Sequence, residues 1–105
     1  MSNAIKIPEN CILKFEAKWC GPCQTIKPFI EEMKKKYNIE IITIDADEHP
    51  DICQEYNVTK LPTFVFKYNG KVKLLIGTDK KNIEMEFFAC KNNISNQIKD
   101  QTQNI

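Results

Sequence analysis

The chain has 105 residues, of which 15 are basic and 14 acidic, for a net charge of +1. One domain fits that length, and with no basic surplus and no long single-sign run, nucleic acid is not an expected partner. The longest apolar runs are about five residues, far short of the roughly 20 that span a bilayer, so no membrane segment is expected. Met1 to Ile7 shows neither a basic n-region nor a long apolar core, so a secretory signal is not expected and the chain reads as intracellular, with a cytoplasmic setting.

In chain order, Cys11–Ala17 alternates as a strand. Cys11, Leu13, Phe15 and Ala17 make an apolar face, and Ile12, Lys14 and Glu16 make a second face with two charges. From Gly21 to Tyr37 the period becomes helical, with Ile26, Phe29, Ile30, Met33 and Tyr37 on one side. Pro28 inside that pattern predicts a kink, and Asn38 can end the helix. Glu40–Asp45 is nearly continuous in Ile, as a strand covered on both faces would be. Strand, helix and strand predict a βαβ unit with parallel strands. Asp47–Tyr56 reads as a short helix with Pro50 near its start, turning Ile52, Cys53 and Tyr56 inward. Thr63–Tyr68 and Lys71–Ile76 are strands joined at Asn69-Gly70, a strong two-residue hairpin signal. Asp79 can cap a last helix carrying Ile83, Phe87, Cys90, Ile94 and Ile98 in one stripe. The stretch from Lys99 to Ile105 is expected to fray. The sum is one α/β domain over 1–105, with a core of about 11–98: a four-stranded mixed sheet with helices on both faces.

Of five cysteines, only Cys20 and Cys23 are closely spaced, and there is a single histidine, His49. A structural zinc site wants more ligands than that. A Cys-x-x-Cys pair beside a βαβ pattern points to redox chemistry, against the plainer reading of two buried free thiols. The pair falls where the first strand hands over to the first long helix, at the carboxyl end of a parallel strand. Cys20 would sit at the helix N-terminus, where unpaired N–H groups and the dipole favour a thiolate. Cys23, one turn in and more enclosed, would attack Cys20 to resolve a mixed disulfide. Gly21 and Pro22 set the tight entry, with Pro at an early position that needs no donor. Trp19 can shield one side of the pair. Cys11, Cys53 and Cys90 lie on apolar faces and read as inert thiols. Asp45 and Asp47 read as solvated strand-end residues.

The segment Phe15-Glu16-Ala17-Lys18-Trp19-Cys20-Gly21-Pro22-Cys23, with Pro28 downstream, resembles the active-site segment of thioredoxins. Tyr56-Asn57-Val58 through Leu61-Pro62-Thr63-Phe64, the Asn69-Gly70 hairpin and Gly77 match the family's second landmark, and the resemblance runs from about Cys11 to Cys90. It implies that Pro62 is cis and faces the disulfide, although the residues alone also fit a trans proline opening a strand. It implies further that the backbone at Leu61, beside Pro62 and Thr63, pairs with an extended substrate segment. No bound cofactor is implied. Reducing equivalents would come from NADPH through a thioredoxin reductase, and the substrates would be disulfide-containing proteins.

Three departures stand out. The family's buried aspartate on the first active-site strand is replaced by Lys14, with Glu16 two residues on along the same face. Either Glu16 or a deprotonated Lys14 would then accept the proton of Cys23. The alternative is that Lys14 snorkels to solvent and Glu16 is a rim charge. The N-terminus is short for the family, whose additional strand and most of a first helix would be missing, leaving at most a helical remnant at Ala4–Ile7. The Glu40–Asp45 strand would then be an exposed edge, open to a dimer or a partner strand, unless the chain continues upstream. Finally, the last helical stripe runs past the family's usual end. The expected function is protein-disulfide reduction by a monomer or weak dimer. The alternatives are a disulfide oxidase or isomerase, and a binding module that holds a partner with Leu61-Pro62 and Trp19. Gly21-Pro22 favours the reducing side.

Overall fold

The structure, a computed structural model, describes the backbone of residues 5–103 and side chains through Ile94. Its elements are β1 (Cys11–Glu16), α1 (Gly21–Tyr37), β2 (Ile41–Asp45), α2 (Pro50–Glu55), β3 (Thr63–Tyr68), β4 (Lys71–Ile76) and α3 (Lys80–Gln103). The sheet order is β2-β1-β3-β4. β1 and β2 are parallel, and β1–β3 and β3–β4 are antiparallel. The expected four-stranded mixed sheet and the βαβ crossover are both present.

Two apolar layers sandwich the sheet. On one side Ile26, Ile30 and Met33 of α1 and Ile83, Phe87 and Cys90 of α3 pack on Ile12, Phe64 and Phe66. On the other, Cys11, Leu13, Phe15, Ile44 and Val65 pack under Ile52 of α2, with Ile5 and Ile7 against them. The described part of the Ala4–Ile7 stretch is irregular chain, not helix; its Ile5 and Ile7 cover part of this layer. Full burial of a large apolar side chain contributes about 1.5–3 kcal/mol. Phe15, Phe64, Phe66 and Phe87, all 0 % exposed, therefore dominate the core.

Boundaries follow local chemistry. Asn38 closes α1 in the left-handed region (φ 51°), its N–H on Lys34 O at 2.9 Å, after a basic last turn of Lys34, Lys35 and Lys36. The helix runs through Pro28 without a break. The hairpin at Asn69-Gly70 has positive φ at both residues (53° and 77°), as a primed turn requires. Asp79 Oδ1 accepts from Asn82 N–H and caps α3. That helix continues as backbone past Ile98 to Gln103, through most of the stretch expected to fray. The side chain of Ile98 and residues 104–105 lie outside the described residues.

Two expectations are corrected. The second helix starts at Pro50 rather than Asp47, because Asp45 Oδ1 accepts the N–H groups of Asp47 (2.8 Å) and Glu48 (3.3 Å) and holds them in a turn. The isoleucine-rich β2 is not covered on both faces: only Ile44 is buried, Ile41 and Ile42 are half-buried and Thr43 is exposed. It is the edge strand, as the short N-terminus led us to expect. Among the described residues, no helix is long and apolar enough to cross a membrane.

Candidate active site

β1 ends at Glu16, the chain turns through Lys18 and Trp19 with Cys20 N–H on Ala17 O (3.1 Å), and α1 begins at Gly21. Cys20 is the N-cap, in an extended conformation (φ −86°, ψ 104°). Its sulfur accepts the N–H of Cys23 at 3.2 Å. The helix N-terminus thus offers a donor to the sulfur that must carry negative charge, which is the electrostatic reason to place the nucleophile here. Pro22 sits within the first two helical positions, where a missing N–H is harmless. Cys20 and Cys23 are joined as a disulfide, with Cα atoms 5.3 Å apart. Cys23 is fully buried and Cys20 is 5 % exposed. Cys20 is the slightly more exposed of the two.

Leu61-Pro62 is a cis peptide, as the resemblance implied. Leu61 packs on the small cluster of Ala17, Cys20 and Cys23, so this loop lies directly against the pair. Pro62 O accepts the N–H of Gly77 at 3.0 Å, and Thr63 Oγ1 donates to Lys60 O at 2.6 Å. These bonds hold the Leu61-Pro62-Thr63 segment from both sides. Gly77 has φ +107°, a conformation that side chains other than glycine's rarely adopt.

Two hollows flank the disulfide. One, of about 300 Å³, is lined by Trp19, Ala46, Cys53, Val58, Thr59, Lys60 and Leu61. The other, of about 550 Å³, is lined by Gly21, Pro22, Thr25, Ile26, Thr78 and Lys80. A third, bounded by Tyr37, Met85 and Phe88 on the outside of α3, includes none of the site residues. Trp19 is 70 % exposed, so its ring is more surface plate than shield. Its Nε1–H donates to Asp47 Oδ2 at 2.9 Å. Asp47 is therefore tied to the turn that precedes the pair and is not just a solvated strand end. The signal that could have found it is the parallel β1–β2 pairing, which brings the chain after β2 to the same end of the sheet as Trp19.

Lys14 and Glu16 form an ion pair, Nζ to Oε1 3.0 Å, with side chains 5 % and 16 % exposed. Lys14 does not snorkel to solvent. The second face of β1 is buried too, with Ile12 at 0 % and Lys14 at 4 %. The other thiols are set against reactivity. Burial raises the pKa of Cys11 and Cys53, with Asp51 adding to the shift at Cys53, and burial pushes Cys90 up to about 11.

Fold and site together define an α/β domain with a redox-capable Cys-x-x-Cys pair at a helix N-terminus, facing a cis-proline loop. A family model described as Thioredoxin matches residues 2–89. Thioredoxin H2 of Arabidopsis thaliana is 43 % identical over 75 residues, 70 % of this chain and 56 % of that protein. The H-type thioredoxin of Picea mariana is 36 % identical over 91 residues, 85 % of this chain and 73 % of that protein. Mitochondrial thioredoxin 3 from Saccharomyces cerevisiae, solved in the oxidized form, is similar with a TM-score of 0.73 at 31 % identity, over 77 % of this chain and 78 % of that one. The chain belongs to the thioredoxin family. It spans about half the length of some of these relatives, 56 % of the Arabidopsis protein and 49 % of thioredoxin-2 of Pyricularia oryzae.

Proposed function

We propose that this chain is a thiol–disulfide oxidoreductase that reduces disulfides in target proteins. The observation that carries the reading is the Cys20–Cys23 disulfide at the N-terminus of α1, with Cys20 as the cap and its sulfur on a helix N–H. Reduced Cys20 attacks the target disulfide, and Cys23 resolves the mixed disulfide. Trp19, Gly21 and Pro22 form the rim around the pair, and the Leu61-Pro62-Thr63 segment receives an extended stretch of the target. No bound cofactor is needed. Electrons would come from NADPH through a thioredoxin reductase acting on the same surface. Three cysteines outside the pair, Cys11, Cys53 and Cys90, are free thiols, which suits a reducing compartment such as the cytoplasm. We take the working form to be a monomer or weak dimer.

Insulin reduction in the presence of NADPH and a thioredoxin reductase tests this. Turnover that disappears in Cys20→Ser is the expected result. Absence of turnover in wild type, with partner proteins still captured by Cys20→Ser, would replace the reading with a binding module.

A further inference from the structure

The two hollows beside the disulfide share a feature that the exchange described so far does not use. Among the described residues, each is lined by one charged side chain, and in both it is a lysine. Lys60 lines the hollow that holds Trp19 and Leu61, and Lys80 lines the hollow that holds Gly21 and Pro22. The chain as a whole is nearly neutral, with 15 basic and 14 acidic residues, so a lysine in both does not follow from composition. The hollow outside α3, away from the pair, is lined by one charge of each sign, Lys81 and Glu84.

Neither lysine is satisfied within the chain. Both are exposed. Among the described residues the ion pairs are Lys14–Glu16, Lys36–Glu84 and Lys73–Glu86, which leave Lys60 and Lys80 without a carboxylate. Lys80 Nζ lies 5.5 Å from the centre of the Phe29 ring, a contact that leaves ammonium N–H groups for another partner. The acids that adjoin the lining residues in sequence are Asp45 and Asp47, on either side of Ala46, and Asp79, between Thr78 and Lys80. Each is turned to an internal donor. Asp45 Oδ1 accepts the N–H groups of Asp47 and Glu48, Asp47 Oδ2 accepts the indole N–H of Trp19, and Asp79 Oδ1 accepts the N–H of Asn82. The walls on both sides of the pair therefore present unpaired positive charge.

We propose that these two lysines select the target, favouring disulfides whose cysteine is flanked by acidic side chains. Lys60 takes a carboxylate on the Trp19 side of the pair, and Lys80 takes one on the Pro22 side. The assignment rests on the redox reading above. A target whose sulfur reaches Cys20 lies between the two hollows, so the side chains that flank its cysteine come to them. Opposite charges speed the encounter and fix its orientation, and a target with basic flanks is repelled. Both ammoniums face water, so each contact contributes modestly and is screened by salt.

The test uses the reduced full chain and three synthetic peptides. Each has one cysteine, blocked as a mixed disulfide with thiopyridine and flanked on both sides by Glu, Gln or Lys. The Cys20 thiolate attacks the peptide sulfur, a Cys20–peptide disulfide forms, and thiopyridone leaves and is read by its absorbance. Each rate is divided by that of mercaptoethanol with the same peptide, which removes intrinsic differences between the disulfides. At low salt, wild type is expected to favour the Glu peptide about threefold over the Gln peptide and about tenfold over the Lys peptide. In about 1 M salt, where the screening length is about 3 Å, both ratios are expected to fall towards one. The double variant Lys60→Glu, Lys80→Glu is expected to reverse the order. Equal wild-type rates for the three peptides, or a preference for the Lys peptide, overturn the assignment and leave the redox reading standing. A Glu preference that persists unchanged in Lys60→Gln, Lys80→Gln overturns it as well. Wild type that releases thiopyridone from none of the peptides overturns the redox reading, and this assignment with it. The wild-type ratios and their salt response need no variant, so they decide if the variants do not fold.

Discussion

Trp19 donates its indole N–H to Asp47 across 28 residues of sequence, at 2.9 Å, and so ties the strand-to-helix turn of the redox pair to the loop that follows β2. Trp19 is the only tryptophan in the chain, so its emission reports this bond directly. Asp47→Ala is expected to shift the emission and to weaken its response to reduction. Stability should fall by no more than about 1 kcal/mol, since the bond is exposed and a typical hydrogen bond nets about that much. Emission and redox response identical to wild type would show that the bond does not hold the ring.

Gly77 holds a backbone conformation that alanine tolerates poorly, and its N–H bonds Pro62 O. No heavy atom lies within 4 Å of a Cβ added there, so the cost of Gly77→Ala is backbone strain alone. Urea denaturation should show a loss of about 1–3 kcal/mol. Insulin reduction should slow as well, because the same bond supports the Leu61-Pro62-Thr63 segment.

Phe66 and Phe87 meet edge to face with centroids 5.7 Å apart, both fully buried, and join β3 to α3. Replacing either with alanine is expected to cost about 3–5 kcal/mol. A double-mutant cycle should return a coupling of about 0.5–1.5 kcal/mol for the aromatic pair. A coupling of zero would mean that α3 does not seat on β3 through these rings.

Cys90 is the most strongly shifted of the thiols outside the pair: burial first, then neighbouring Cys11 and Glu86, push it up to about 11 from an ordinary 9.0. A raised pKa in the folded state stabilises below the unfolded value, and that stability is lost as pH rises through the folded one. Between pH 9 and 11, wild type should therefore lose up to about 2 kcal/mol that Cys90→Ala does not lose. Urea midpoints of the two proteins across that range measure the difference. At pH 8 roughly one Cys90 in a thousand is a thiolate, so iodoacetamide should leave it unmodified while it labels reduced Cys20.

Much of this arrangement was legible in the residues. β3 and β4 lie where alternation and Asn69-Gly70 put them, because a primed turn fixes both register and strand ends. α1 begins and ends as read, because its cap, its apolar stripe and Asn38 agree. What escaped the reading depends on contacts that spacing does not encode. α2 starts late because one carboxylate, that of Asp45, claims two backbone donors. The second face of β1 left open whether Lys14 reaches solvent, because spacing does not tell a buried ion pair from a rim pair; its 4 % exposure decides that. Asp47 looked like a solvated acid because its partner is far away in sequence. The redox pair was legible from a five-residue motif, whereas the Lys14–Glu16 ion pair is seen only in the folded chain.

The central claim is that Cys20 and Cys23 form a reducing couple, and its midpoint potential tests that most directly. Equilibration of the pair against glutathione or dithiothreitol buffers should place it at the cytosolic poise or below, about −220 mV or lower. A potential above about −180 mV would contradict the claim and make the chain an oxidase or isomerase.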